Sequence, residues 1–204
     1  MNNTSFEGKK LIVFDLDGTI VKLSADWVAL KNILVNKYRE IYKEQCNVNT
    51  VSKCLDKIVE KNDEDILEKF FDEIRNYEQI FLKETQLKEE TIFFIKNKEL
   101  FDVKSITKFA ILSLNARNTI IQSLKLADIL DEIDYIIGRE DVRKWKPAPE
   151  GLIKIKVHFK IKREEMVYFG DLKRDLLTGK NAGIDTYLID DLINLVNKKK
   201  LDEY

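Results

Sequence analysis

Leu11-Ile12-Val13-Phe14-Asp15-Leu16-Asp17-Gly18-Thr19 opens on four apolar residues and ends in two carboxylates, a glycine and a hydroxyl. An apolar run without polar alternation predicts a strand buried on both faces, as in a parallel sheet. In extended chain, Asp15 and Asp17 point the same way. Open parallel sheets collect their ligands beyond the carboxyl ends of their strands. Two carboxylates there repel each other; a divalent cation offsets that, and hard oxygen ligands suit Mg²⁺. Gly18 permits an unusual turn, and Thr19 brings a hydroxyl. A plain surface turn can carry the same residues, so the stretch needs partners elsewhere in the chain.

Further short apolar runs follow at Phe109–Leu114, Tyr135–Ile137, Met166–Phe169 and Thr186–Ile189. Helical candidates lie between them at Asn118–Leu126, Pro149–Phe159 and Leu172–Asn181. This alternation predicts an α/β fold with a doubly wound, mainly parallel, Rossmann-like core sheet. The order is interrupted after the first strand. From Thr19 to Ile137 there is no proline, and no glycine after Gly18 until Gly138, which favours helices. Trp27, Leu30, Ile33, Leu34, Tyr38, Ile41 and Tyr42 recur at threes and fours, with Ser24 as the expected N-cap. Ile66 to Phe81 carries a second stripe, with Asp63, Glu64 and Asp65 as its acidic start; Leu87–Leu100 is a third candidate. The expected organisation is a core of residues 1–22 and 101–204, with an α-helical cap domain of residues 23–100 inserted after the first strand. Lys198–Lys200 reads as a solvated, frayed tail.

The chain has 204 residues, 44% of them hydrophobic and 35% charged, with a net charge of −1. That composition supports a buried core and excludes a disordered chain or a globally basic nucleic-acid binder. No run approaches the ~20 apolar residues of a membrane helix, and no secretory leader is readable, so a cytoplasmic protein is expected. Two cysteines, Cys46 and Cys54, are too few for a metal site and read as reduced thiols; a bridge between them is the lesser alternative.

The partners of the first stretch come late. Tyr168-Phe169-Gly170-Asp171 ends another strand, and Asp175 follows four residues on. Each alone reads as a helix cap or a solvated charge; together they can complete a cation site begun by Asp15. Ser113, with Asn115 nearby, can offer a hydroxyl and amides to a phosphoryl oxygen, although Ser113 could be a satisfied polar residue and Asn115 a helix cap. In Lys144-Trp145-Lys146-Pro147-Ala148-Pro149-Glu150 the prolines stiffen a loop around Lys146, whose ammonium can sit against phosphate and carboxylate. His158, the only histidine, lies on a helical candidate and reads as structural; Trp27, near a cap entrance, reads as core packing, with substrate contact as the lesser alternative.

Asp15-Leu16-Asp17-Gly18-Thr19, Ser113, Lys146 and Gly170-Asp171 with Asp175 resemble, in order and spacing, the four motifs of the haloacid dehalogenase-like hydrolase superfamily. The inserted helices resemble the cap of its phosphoglycolate phosphatase-like branch. The resemblance implies a Mg²⁺-dependent phosphatase acting on a small phosphomonoester. It implies Asp15 as nucleophile, forming an aspartyl-phosphate, Asp17 as acid and then base, and Lys146 bridging phosphate and Asp15. Asp17, Gly18, Thr19, Ser113 and Lys146 would bind phosphate. Mg²⁺ would take Asp15, the backbone carbonyl of Asp17, Asp171 and, directly or through water, Asp175. The implied partner is a small phosphorylated metabolite, with no nucleic acid and no membrane, for a monomer or homodimer. Asp17 argues against dehalogenase and phosphonate-cleaving relatives, which lack an acid there. A sugar phosphomutase keeps both acids and remains an alternative, as does a silent binder of a phosphorylated ligand. The chain departs from the pattern at Lys22, where many relatives carry an acid, and at Ser113-Leu114-Asn115, one residue longer than the common pair.

Overall fold

The computed structural model describes residues 6–202. Among them, β1 (Leu11–Phe14), β4 (Lys108–Leu112), β5 (Tyr135–Ile137), β6 (Met166–Gly170) and β7 (Asp185–Leu188) form one sheet in the order β5-β4-β1-β6-β7. Every neighbouring pair in it is parallel. Crossovers run through α5 (Arg117–Leu126), α6 (Glu150–Phe159) and α7 (Lys173–Ala182). The chain is thus the α/β, Rossmann-like fold expected. β1 is central, and all four of its residues are sealed from solvent. Its register pairs Phe14 with Ile111 on one side and Phe169 on the other. Asp15, Ser113 and Asp171 therefore leave the sheet at one edge.

The insertion holds α1 (Trp27–Tyr42), α2 (Val51–Glu60) and α3 (Glu64–Phe81). α1 is capped by Asp26, whose carboxylate accepts from the Val28 and Ala29 N–H groups; Ser24, the expected cap, instead donates to the Glu84 carbonyl. Asp63 caps α3. α2 has no counterpart in the sequence reading, yet Cys54, Leu55 and Ile58 bury one of its faces, and Thr50 caps it.

β2 (Val21–Lys22) and β3 (Gln86–Leu87) pair antiparallel, so both chain crossings between insertion and core lie in one two-stranded ribbon. α4 (Glu89–Lys96), in the stretch read from sequence as the third helix of the insertion, packs against α8 (Ile189–Asp202) beside the sheet. Its Phe94 ring lies 5.2 Å from Phe6, 6.2 Å from Phe14 and 5.1 Å from Phe101. A stripe of Ile92, Phe94 and Ile95 needs an apolar face, and the sheet supplies it.

The two faces of β1 feed two apolar clusters. Ile12 and Phe14 join α4 and α8; Leu11 and Val13 join α6 and, continuously, the inserted helices through Leu34, Tyr38 and Phe70. Phe71 of α3 meets Trp145 edge-on at 6.3 Å. Lys198–Lys200 is no frayed tail but part of α8, anchored by Leu192 and Val196, with the Lys200 ammonium 4.4 Å from the Phe93 ring centre. Cys46 and Cys54 are buried free thiols, Sγ to Sγ 3.9 Å. His158 is exposed and stacks on Tyr135. No helix among the described residues is long and apolar enough to cross a membrane.

Candidate active site

Immediately past β1, the Asp15 carboxylate is buried. Its Oδ1 accepts from the Leu16 N–H at 2.7 Å and lies 3.0 Å from the Lys146 ammonium. Burial lifts the Asp15 carboxyl above the ordinary carboxylate range, while Lys146 and the Leu16 N–H oppose that rise. Lys146 is itself buried and sits 2.8 Å from Asp175 Oδ1, so one ammonium joins two carboxylates. Asp175 Oδ1 also accepts from the Tyr168 hydroxyl at 2.7 Å, and Oδ2 from the Leu172 N–H at 3.1 Å. Burial works to raise Asp175, but Lys146 and these donors outweigh it and hold the carboxyl below its usual value. Asp175 is thereby the anchor of Lys146, with each oxygen already bonded.

Asp171 is different. Its Oδ1 is buried and has no hydrogen-bond partner among the described residues. Burial, then the charges of Asp15, Asp175 and Asp17, push its carboxyl up to about 6. One carboxylate oxygen each of Asp15, Asp171 and Asp175 lies within 4.8 Å of the others. Gly18 has φ +83, and a Cβ there would run into the Asp171 carboxylate; only glycine lets the two loops close this far. An orphaned buried oxygen in an all-oxygen acidic cluster fits a hard divalent cation. The fourth expected ligand, Asp17, lies outside this cluster with its side chain: Oδ1 accepts from the Leu23 N–H at 2.9 Å and Oδ2 from Trp27 Nε1 at 3.1 Å. Burial, partly offset by the Leu23 N–H, pushes the Asp17 carboxyl up to about 6.

Of the expected phosphate contacts, Thr19 is fully buried, and its Oγ1 has no hydrogen-bond partner among the described residues. The Ser113 hydroxyl donates to Asn115 Oδ1 at 2.8 Å, and Gly18 and Ser113 both face the cavity. That cavity, about 720 Å³, lies between the sheet edge and the inserted helices. Asp15, Asp17 and Asp171 lie on its core side, while Trp27, Lys31 and Thr50 line it from the insertion. Trp27, expected as packing near the cap entrance, also holds Asp17 with its indole. Three residues escaped the sequence reading. Tyr168 faces Asp175 from within β6. Glu78 and Arg139 form a fully buried ion pair, Oε1 to Nη1 2.9 Å. Only Glu78, a charge inside an apolar helical stripe, left a trace in the sequence.

The sequence profile of the haloacid dehalogenase-like hydrolase family matches residues 12–189. Pyrophosphatase PpaX of Bacillus cereus is 28% identical over 176 residues, 86% of this chain and 80% of its own. PpaX of Halalkalibacterium halodurans is 38% identical over a shorter stretch, 40% of this chain and 38% of its own. Among solved structures, a haloacid dehalogenase-like hydrolase from Bacteroides fragilis superposes with a TM-score of 0.61 at 24% identity, covering 87% of this chain and 86% of that one. A candidate phosphoglycolate phosphatase from Lactobacillus plantarum superposes with a TM-score of 0.62 at 14% identity, over 94% and 90% of the two chains. These superpositions speak for the fold, and the profile match speaks for the family. The chain belongs to the haloacid dehalogenase-like hydrolase family and is an enzyme of that family.

Proposed function

We propose that this hydrolase is a Mg²⁺-dependent, cytoplasmic phosphatase of a small phosphomonoester, working through an aspartyl-phosphate on Asp15. The observation that carries the reading is the buried Asp15 carboxylate, 3.0 Å from Lys146 and grouped with the orphaned Asp171 oxygen. An Asp15 oxygen attacks phosphorus, the ester P–O bond breaks, and the leaving oxygen takes a proton from Asp17. A water then attacks the acyl phosphate, Asp17 takes its proton back, and inorganic phosphate and the free Asp15 carboxylate result. Asp17 suits both halves because its carboxyl is held near 6, between full acid and full base. Lys146 neutralises Asp15 and the phosphoryl oxygens, and Asp175 with Tyr168 keeps its ammonium in place. Mg²⁺, held by Asp15, the Asp17 main-chain carbonyl and Asp171, would supply charge stabilisation for the transferring phosphoryl group. Gly18, Thr19 and Ser113 complete the phosphate site.

The curated relatives named pyrophosphatases and the cavity of about 720 Å³ both favour a small substrate. The test is a panel of small phosphate compounds, including phosphoglycolate, inorganic pyrophosphate, nucleotides and sugar phosphates, assayed with Mg²⁺ and with excess chelator. Phosphate release that depends on the cation supports the reading. Undiminished release in verified metal-free protein, or isomerised sugar phosphate in place of free phosphate, contradicts it.

A further inference from the structure

Glu78 lies near the end of α3, in the inserted helices, yet its carboxylate is fully buried and turned toward the core. Oε2 accepts from the Ala116 N–H at 2.9 Å. Oε1 accepts from Arg139 Nη1 at 2.9 Å and from Asn115 Nδ2 at 3.3 Å. A carboxylate only accepts, so Asn115 must turn its NH₂ to Glu78 and its Oδ1 away. That Oδ1 is the atom receiving the Ser113 hydroxyl at 2.8 Å. From the other side, the Arg139 N–H donates to the Asn115 carbonyl at 2.9 Å. The loop that follows β4, residues 113–116, is therefore gripped between Glu78 and the Arg139 segment, and its amide orientation is dictated by Glu78.

A buried ion pair gains little net stability, because the desolvation of both charges offsets their attraction. Its consequence here is geometric. We propose that Glu78 is a positioning residue for the phosphate-binding loop: it acts through Asn115, Ala116 and Arg139, and touches no reacting atom. An inserted helix thus orders the core loop that receives the phosphoryl group. The proposal rests on the phosphatase reading above. It assigns Glu78 to the phosphoryl end common to all substrates, not to selection among them.

The test uses the double variant Glu78→Met/Arg139→Met, which removes both charges together and replaces them with apolar side chains of similar length. Exchanges of this kind commonly leave a fold intact. Melting temperature, the activation constant for Mg²⁺, KM and kcat for p-nitrophenyl phosphate, and the inhibition constant for inorganic phosphate are measured. The expected result is a folded enzyme whose KM and phosphate inhibition constant both rise about 10-fold, the equivalent of about 1.4 kcal/mol. The same factor should hold for every substrate in the panel, with the Mg²⁺ constant unchanged. Glu78→Asp keeps the buried charge but withdraws it by one methylene, and decides the matter if the double variant does not fold; at least a threefold rise in the phosphate constant is expected. Leu192→Ala, in α8 within the other apolar cluster, serves as a control that lowers melting temperature without moving that constant. Phosphate constants within twofold of wild type in the folded variants, whatever their melting temperatures, overturn the proposal and leave the phosphatase reading standing. A wild-type protein that neither hydrolyses p-nitrophenyl phosphate nor binds phosphate overturns both.

Discussion

At the scale of single residues, the site is a balance of buried charge. Asp15, Asp175 and Asp171 crowd one edge of the sheet, and Lys146 neutralises only the first two directly. Asp171 keeps an oxygen with no hydrogen-bond partner among the described residues, and Asp17 is drawn off by the Leu23 N–H and the Trp27 indole. Under the proposed mechanism, this separation gives Asp15 and Asp17, two residues apart, different tasks. The indole contact leads to a specific expectation. Trp27→Phe keeps the ring in the apolar contact but deletes the donor to Asp17. A hydrogen bond to a charged group is worth roughly 1.5–3 kcal/mol, so kcat should fall by about 10-fold or more through misplacement of Asp17. Steady-state kinetics on p-nitrophenyl phosphate check this, and an unchanged kcat would show that Asp17 needs no such holder. Asp15→Asn should abolish turnover while the fold is retained, since an amide is a poor nucleophile and a poor cation ligand; circular dichroism and phosphate release measure the two halves of that statement. The acid pattern itself was readable in sequence, because Asp15, Asp17 and Asp171 follow strand ends and Asp175 falls in the first turn of the helix after β6. Trp27 and Tyr168 were not, because their apolar rings satisfy the helix and strand patterns whether or not their polar atoms have a partner.

At the scale of elements, strands and helices of the core were legible because their apolar runs are short, unalternating and separated by helical periodicity. Sheet neighbours differ from the expected bounds by only a residue or two, as at β4, which ends at Leu112 instead of Leu114. The insertion was read less well. α2 is only Val51–Glu60, and its amphipathic face is built partly from Ser52 and Cys54 beside Leu55 and Ile58, so a short stripe went unread where the longer aromatic one of α3 did not. For α4, periodicity shows that a face is apolar, not which apolar surface covers it; here α8 and the sheet do. The ribbon of β2 and β3 shows where the insertion begins and ends, and two-residue strands carry no sequence signal. The packing of α3 on the core has a measurable consequence. Phe71 is buried to 1% exposure against Trp145, one residue before Lys146. Phe71→Ala should cost about 3–5 kcal/mol of folding stability through the cavity it leaves. Denaturant unfolding measures it, and a loss under 1 kcal/mol would mean that α3 and the Trp145 loop do not pack as one unit.

At the scale of the whole molecule, one apolar cluster runs from the sheet into the inserted helices, while a cavity of about 720 Å³ lies between them at the strand ends. Asp15, Asp17 and Asp171 line this cavity from the core, and Trp27, Lys31 and Thr50 line it from the insertion. A cleft of this volume, walled on one side by the inserted helices, limits the size of the group that reaches the acids. Small phosphomonoesters should accordingly be hydrolysed far faster than a folded phosphoprotein, as comparative phosphate-release rates will show. Everything in this account turns on a covalent phosphoryl group at Asp15. The direct measurement is a millisecond acid quench of the enzyme turning over saturating p-nitrophenyl phosphate with Mg²⁺, followed by digestion and mass spectrometry. The account predicts one phosphoryl group on the peptide that carries Asp15, absent from the Asp15→Asn variant. Full turnover with no phosphoryl group on the protein, or with the group on another residue, would contradict it.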